Sequence, residues 1–138
     1  MKKLIGILVA LIIAGCSQGG DKPGNVGFAS ISPQEAGKLI ESRKDILVVD
    51  CRSPQELAEG AVPGSTLIPV WAIMQGNHNL PKNRPLLLVC AVGGRSFAAG
   101  QLLARNGYPE VYNLSGGLSA WKQAGLPLVY PQQQQAGR

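Results

Sequence analysis

Pro85-Leu86-Leu87-Leu88-Val89-Cys90-Ala91-Val92-Gly93-Gly94-Arg95-Ser96 is the stretch that decides how this chain folds. Its apolar run, Leu86 through Val89, lies between a proline and a glycine-rich turn. That length and those flanks predict a strand buried on both faces of a parallel sheet. The run stops at Cys90. From Arg95-Ser96 a helical spacing takes over, with Ala99, Leu102, Leu103 and Asn106 on one face and Gly107 as the stop. The cysteine therefore stands at the carboxyl end of a strand, ahead of a tight loop and a helix N-terminus. In open parallel sheets that edge is where ligands bind.

The chemistry follows from this placement. Gly93 and Gly94 can take positive φ, which turns the backbone N–H groups of Ala91, Val92, Gly93, Gly94, Arg95 and Ser96 inward as an anion-binding nest. The helix adds its positive end and Arg95 adds a full charge. A thiol held there is expected to ionise below its free value of about 8.5, and so to be a thiolate without a histidine base. The plainer alternative is a buried cysteine beside a glycine-rich turn.

Upstream, residues 28–31 read as a short first strand. Ser32-Pro33-Gln34-Glu35 is a capping box with proline at the first helical position, so a helix is expected over residues 33–42. Residues 46–49 form a second buried strand ending at Asp50-Cys51-Arg52. Ser53-Pro54-Gln55-Glu56 repeats the capping-box pattern and opens a short helix that stops at Gly60. A turn at Val62-Pro63-Gly64, a third strand over 66–68 and a short helix over 71–75 follow. Downstream come a fifth strand over 111–114, a turn at Gly116-Gly117, and a last helix over 118–124. Strands alternating with helices predict a parallel sheet covered on both faces.

Three segments resemble the signatures of rhodanese-like domains. They are Asp50-Cys51-Arg52-Ser53-Pro54-Gln55-Glu56-Leu57 with Gly60-Ala61-Val62-Pro63-Gly64-Ser65, the loop Cys90-Ala91-Val92-Gly93-Gly94-Arg95-Ser96, and Leu114-Ser115-Gly116-Gly117-Leu118 with Trp121. The resemblance implies an α/β fold, a five-stranded parallel sheet with helices on both faces. It also implies a sulfurtransferase that carries sulfane sulfur as a persulfide on Cys90, taking it from a small donor such as thiosulfate and passing it to a thiol or cyanide. Ala61 stands where the family often has histidine. Ala91 and Val92 stand where several members carry charged residues, so the loop offers thiosulfate no charged side chain at those positions. Asp50, Arg52 and Glu56 read as supporting residues, and Arg95 as an anion guide or the ion-pair partner of Asp50 or Glu56. Phosphatases of this topology place the arginine one position further from the cysteine, and the shorter loop here favours a sulfur atom. The rival is the same fold used as a thiol-redox or binding module without sulfur transfer.

Other classes fall away on composition. The chain has 138 residues and a formal net charge of +5, of which Lys2 and Lys3 supply two. The remaining basic residues are scattered without aromatic interleaving, which argues against nucleic-acid binding. His78 is the only histidine, too few for metal chemistry beside the available cysteines, and no cofactor is expected.

The ends carry separate instructions. Lys2-Lys3 and the apolar residues 4–14 form an export signal, far shorter than the roughly 20 residues that span a bilayer. It ends Ile13-Ala14-Gly15-Cys16, similar to a bacterial lipobox, so residues 1–15 are expected to be removed and Cys16 lipidated. Two acyl chains suffice for stable anchoring to a membrane facing the periplasm. Ser17, rather than aspartate, implies the outer membrane where there are two. Residues 16–27 read as a flexible linker, 28–130 as the domain, and 131–138 as a glutamine-rich tail without a core. Oligomeric state is left open. Cys51, ending the strand beside that of Cys90, is expected either to be a small buried residue or to meet Cys90 as a disulfide partner.

Overall fold

The structure, a computed structural model, describes residues 27–131. The export signal, Cys16 and nearly all of the linker and tail lie outside the described residues. Five strands, β1 (Gly27–Ile31), β2 (Leu47–Asp50), β3 (Thr66–Leu67), β4 (Leu86–Val89) and β5 (Glu110–Leu114), form one sheet in the order β1-β5-β4-β2-β3. Every neighbouring pair is parallel. The α/β fold expected from the alternating pattern is the fold observed.

β4 is central because its residues are apolar without interruption. Leu86 and Leu88 face one layer with Val49, Cys51, Val111 and the helices α2 (Val70–Met74) and α3 (Gly94–Arg105). Leu87 and Val89 face the other, with Val48 and the helices α1 (Pro33–Ser42) and α4 (Gly117–Gln123). Each fully buried leucine of this strand contributes roughly 1.5–3 kcal/mol through removal of apolar surface from water. Cys90 continues the alternation and falls in the α2–α3 layer.

Several boundaries differ from the sequence reading. The capping box at Ser32 forms as expected, with Glu35 Oε2 accepting from Ser32 N at 2.8 Å. The one at Ser53 starts a 3-10 helix, Pro54–Glu59, which stops at Gly60 as expected, where φ is +93°. In α3 the expected Ala99 and Leu103 are buried, and Ser96 and Gly100 complete the buried stripe in place of half-buried Leu102 and exposed Asn106. The helix begins at Gly94, with Gly93 as its N-cap, and Asn106 is already its exposed C-cap. Gly100 belongs to that face because Phe28 of β1 packs where its side chain would stand.

One ionic interaction anchors the top of β2. Asp50 and Arg52 are each 1% exposed, and Arg52 Nη2 lies 2.8 Å from Asp50 Oδ2. Arg52 Nε donates to both carboxylate oxygens, Nη1 to Glu56 O at 3.0 Å, and Nη2 also to Gly60 O at 2.7 Å. The pair thus ties β2 to the whole 3-10 segment, and none of its polar atoms is left without a partner. Removing one member strands a buried charge. Arg52→Ala should therefore lower the unfolding free energy by about 3–5 kcal/mol in urea titrations. The double variant Asp50→Ala/Arg52→Ala should cost less than the two single losses added.

Candidate active site

Cys90 leaves β4 with its side chain 1% exposed. Its Sγ accepts the Gly93 N–H at 3.1 Å, the Ser96 N–H at 3.5 Å and the Ser96 hydroxyl at 3.2 Å. Burial by itself drives a thiol's pKa up. Here the hydrogen bonds from the Ser96 hydroxyl and amide and from the Gly93 and Val92 amides outweigh burial, and the pKa of Cys90 is lowered. Hydrogen bonding at this position thus favours the anionic form of the sulfur against the effect of its burial.

The loop's shape depends on two glycines, and they are not the adjacent pair expected. Gly93 has φ +97°, and a Cβ there would stand 3.1 Å from Gly116 N and 3.3 Å from Leu114 O. Gly94 has no positive φ and open space around it, so the expectation that both loop glycines need their freedom is corrected to Gly93 alone. It is the first residue of α3, where ordinary helical φ suffices. The second indispensable glycine is Gly117. At φ +58°, its Cβ would press on Cys90 O and come within 2.7 Å of Ala91 C and Val92 N. From the same turn Leu118 N donates to Cys90 O at 2.8 Å and Ser119 N to Ala91 O at 3.0 Å. The start of α4 therefore buttresses the loop. The sequence signal was the Gly116-Gly117 pair, which we read only as a tight turn.

Around the loop, Ala91 is half-buried, Val92 is 72% exposed, and Arg95 is half-buried. Arg95 engages Glu56 with both terminal nitrogens, Nη1 to Oε2 at 2.9 Å and Nη2 to Oε1 at 2.7 Å. Glu56 is held in place by the N–H and hydroxyl of Ser53 at 2.8 and 3.0 Å. Its carboxyl is lowered from 4.5 to about 2, first by the Arg95 guanidinium and then by the Ser53 backbone. A depressed carboxylate stabilises the fold above its unfolded pKa. This contribution is thus complete above about pH 4.5 and is lost as pH falls toward 2. Arg95, in turn, is kept more firmly charged by Glu56 and by the nearby Cys90 sulfur.

Cys51 and Cys90 follow the paired residues Asp50 and Val89 on neighbouring strands and share one face of the sheet. Both are free thiols. Burial, with the charges of Cys90 and Asp50, pushes the Cys51 thiol up to about 12. His78 lies in the β3–β4 connection, its Nδ1 accepting the Leu80 N–H at 3.3 Å. Among the described residues no cluster of histidine, cysteine or carboxylate groups could hold a metal ion. Asn113, which the sequence reading passed over, is a buried amide of β5 whose Oδ1 lies 2.6 Å from Ser96 Oγ. Its signal was a lone polar residue inside the apolar run of a strand.

A family model for the rhodanese-like domain matches residues 32–124. The chain belongs to that family. A sulfurtransferase of Allochromatium vinosum is 35% identical over 102 residues, covering 74% of this chain and 95% of the relative. A thiosulfate sulfurtransferase GlpE of Ectopseudomonas mendocina is 35% identical over 95 residues, covering 69% and 85%. The crystal structure of a rhodanese-related protein from Thermoplasma volcanium superposes with a TM-score of 0.66 at 31% identity, covering 73% of this chain and 97% of that one. As a rhodanese-like domain with sulfurtransferase relatives, the chain places its cysteine loop between β4 and α3.

The two glycine environments give a direct comparison. Gly94→Ala should keep the rate of Cys90 alkylation by iodoacetamide within about twofold, since a helical alanine costs nothing there. Gly93→Ala and Gly117→Ala should each slow it at least tenfold at neutral pH or fail to fold, which circular dichroism separates. Equal rates in all three would contradict the loop geometry described.

Proposed function

We propose that this domain is a persulfide-forming sulfurtransferase with Cys90 as the sulfur carrier. The observation that carries the reading is the ring of uncharged donors around Sγ, the Gly93 and Ser96 amides and the Ser96 hydroxyl. Such donors stabilise an anion without a proton to give away, which suits a sulfur that must alternate between thiolate and persulfide.

In the first half-reaction the Cys90 thiolate attacks the outer sulfur of a small donor such as thiosulfate or a polysulfide. The new bond is Sγ–S, the donor's S–S bond breaks, and its remainder leaves with the electron pair, as sulfite from thiosulfate. The terminal persulfide sulfur carries the negative charge into the nest formed by residues 91–96. In the second, an acceptor thiolate or cyanide attacks that terminal sulfur and Cys90 leaves as thiolate. Arg95 is largely neutralised by Glu56, so it shapes the loop and supports its potential instead of acting as a free cation. Ala91 and Val92 present no charge, which favours small donors held by backbone dipoles.

We further propose that the domain is exported and tethered to a membrane through lipidated Cys16, which would place this chemistry in the periplasm. That reading is supported by the sequence of residues 1–16 alone.

Intact-mass measurement after thiosulfate or polysulfide should show one added sulfur on Cys90, removable by cyanide. Cys90→Ser should show none and should fold normally, because a hydroxyl is not ionised at neutral pH. Absence of added sulfur in the parent with every donor would instead indicate a redox or binding module. With a lowered Cys90 pKa, the loading rate should rise with pH to a plateau, with a midpoint below that of an unperturbed thiol, and fall on the acid side as the thiolate protonates. Cys16→Ser should move the full chain from the membrane to the soluble fraction, and persistent membrane association would remove the lipid anchor.

A further inference from the structure

A file of polar atoms runs from the reactive sulfur to the edge of the sheet. Ser96 Oγ lies 3.2 Å from Cys90 Sγ and 2.6 Å from Asn113 Oδ1. Asn113 Nδ2 lies 3.0 Å from Ser30 Oγ on β1. Ser96 is fully buried and Asn113 is 3% exposed, whereas Ser30 is open to solvent.

The Ser96 hydroxyl has one proton and therefore cannot donate to both the sulfur and Asn113. When Cys90 is a thiol, S–H donates to Ser96 Oγ, Ser96 O–H to Asn113 Oδ1, and Asn113 Nδ2–H to Ser30 Oγ. Every side-chain proton of this file then points away from the sulfur, while the Gly93 and Ser96 amides still face it. When Cys90 is anionic, Ser96 must turn its proton to Sγ. With the amide left as it is, Ser96 Oγ and Asn113 Oδ1 would face each other at 2.6 Å with no proton between them. Folded proteins avoid such buried unpaired acceptors. A half turn of the amide removes the conflict, because its oxygen and nitrogen have nearly the same shape. Nδ2–H then donates to Ser96 Oγ, and Oδ1 accepts from the Ser30 hydroxyl, which can act in either sense.

We propose that Asn113 is a positioning residue for sulfur transfer: its rotated amide donates to Ser96 Oγ and thereby commits the Ser96 proton to an anionic Cys90 Sγ. The thiol proton itself leaves to solvent, and the three side chains exchange none. Only the direction of their hydrogen bonds reverses. The same direction serves the thiolate that attacks the donor and the thiolate that leaves the persulfide, a consequence that rests on the sulfur-transfer reading.

The test is the pH dependence of Cys90 alkylation by iodoacetamide in the full chain, resolved by peptide mass spectrometry so that Cys16 and Cys51 do not contribute. Ser96→Ala should raise the midpoint by about one pH unit, the worth of one hydrogen bond to a charged group. Asn113→Leu should raise it by less, because the thiol form can still place the Ser96 proton on Gly93 O at 3.4 Å whereas the thiolate form has no other donor for Ser96 Oγ. The double variant should lie no higher than Ser96→Ala alone, because Asn113 acts only through Ser96. Asn113→Val, better suited to a strand, repeats the measurement if the leucine variant does not fold. An unchanged midpoint in a folded Asn113 variant, or shifts that add in the double variant, would overturn the proposal. Sulfur loading of Cys90 is scored on the same samples. A parent that never gains sulfur removes the transfer reading, while the alkylation cycle still decides the role of Asn113.

Discussion

An anionic sulfur taken out of water must find donors in the protein or take up a proton. At Cys90 those donors are two backbone N–H groups and one hydroxyl, all supplied within six residues of the cysteine itself. None carries a formal charge. The loop thus has to be held with its amides inward, because the unconstrained backbone would turn them to solvent. Much of what surrounds the loop serves that one requirement.

The constraint is applied from three sides. From below, α4 begins with a glycine so that backbone can lie against backbone, and its first free N–H groups take the Cys90 and Ala91 carbonyls. Any side chain at Gly117 would push the loop away from those donors. From the helix side, Gly93 turns through a left-handed conformation that delivers its own N–H to the sulfur. From the β2 side, Arg95 is clasped by Glu56, and Glu56 stands on a 3-10 segment that the buried Asp50–Arg52 pair fixes to the sheet. Charge at this site is used mainly to hold geometry, and uncharged donors face the sulfur.

Two thiols at neighbouring strand ends show how local this control is. Cys51 and Cys90 lie in the same apolar layer, yet their pKa values move in opposite directions. Cys51 Sγ meets the Val49 carbonyl at 3.9 Å, an acceptor that does nothing for a thiolate, and burial outweighs the hydrogen bond from the Val89 backbone. Cys90 Sγ has three donors. Burial is common to both, so the opposite shifts come from the donors that the loop supplies.

The sequence by itself determined the parallel sheet, the central place of the strand from Leu86 to Val89, and the position of Cys90 at its carboxyl end. Those features follow from local apolar runs and their glycine and proline punctuation, which act over a few residues. The capping residues Ser53 and Glu56 and the stop at Gly60 were legible for the same reason, although the segment between them is a 3-10 helix. Only the tertiary structure decided that Gly93 and not Gly94 needs positive φ, that Gly117 lies beneath the loop, and that Asn113 reaches Ser96. Each of these depends on the approach of segments distant in the chain, namely β5 and the start of α4 against the β4–α3 loop. That approach is set by the packing of whole layers, which short-range spacing does not encode.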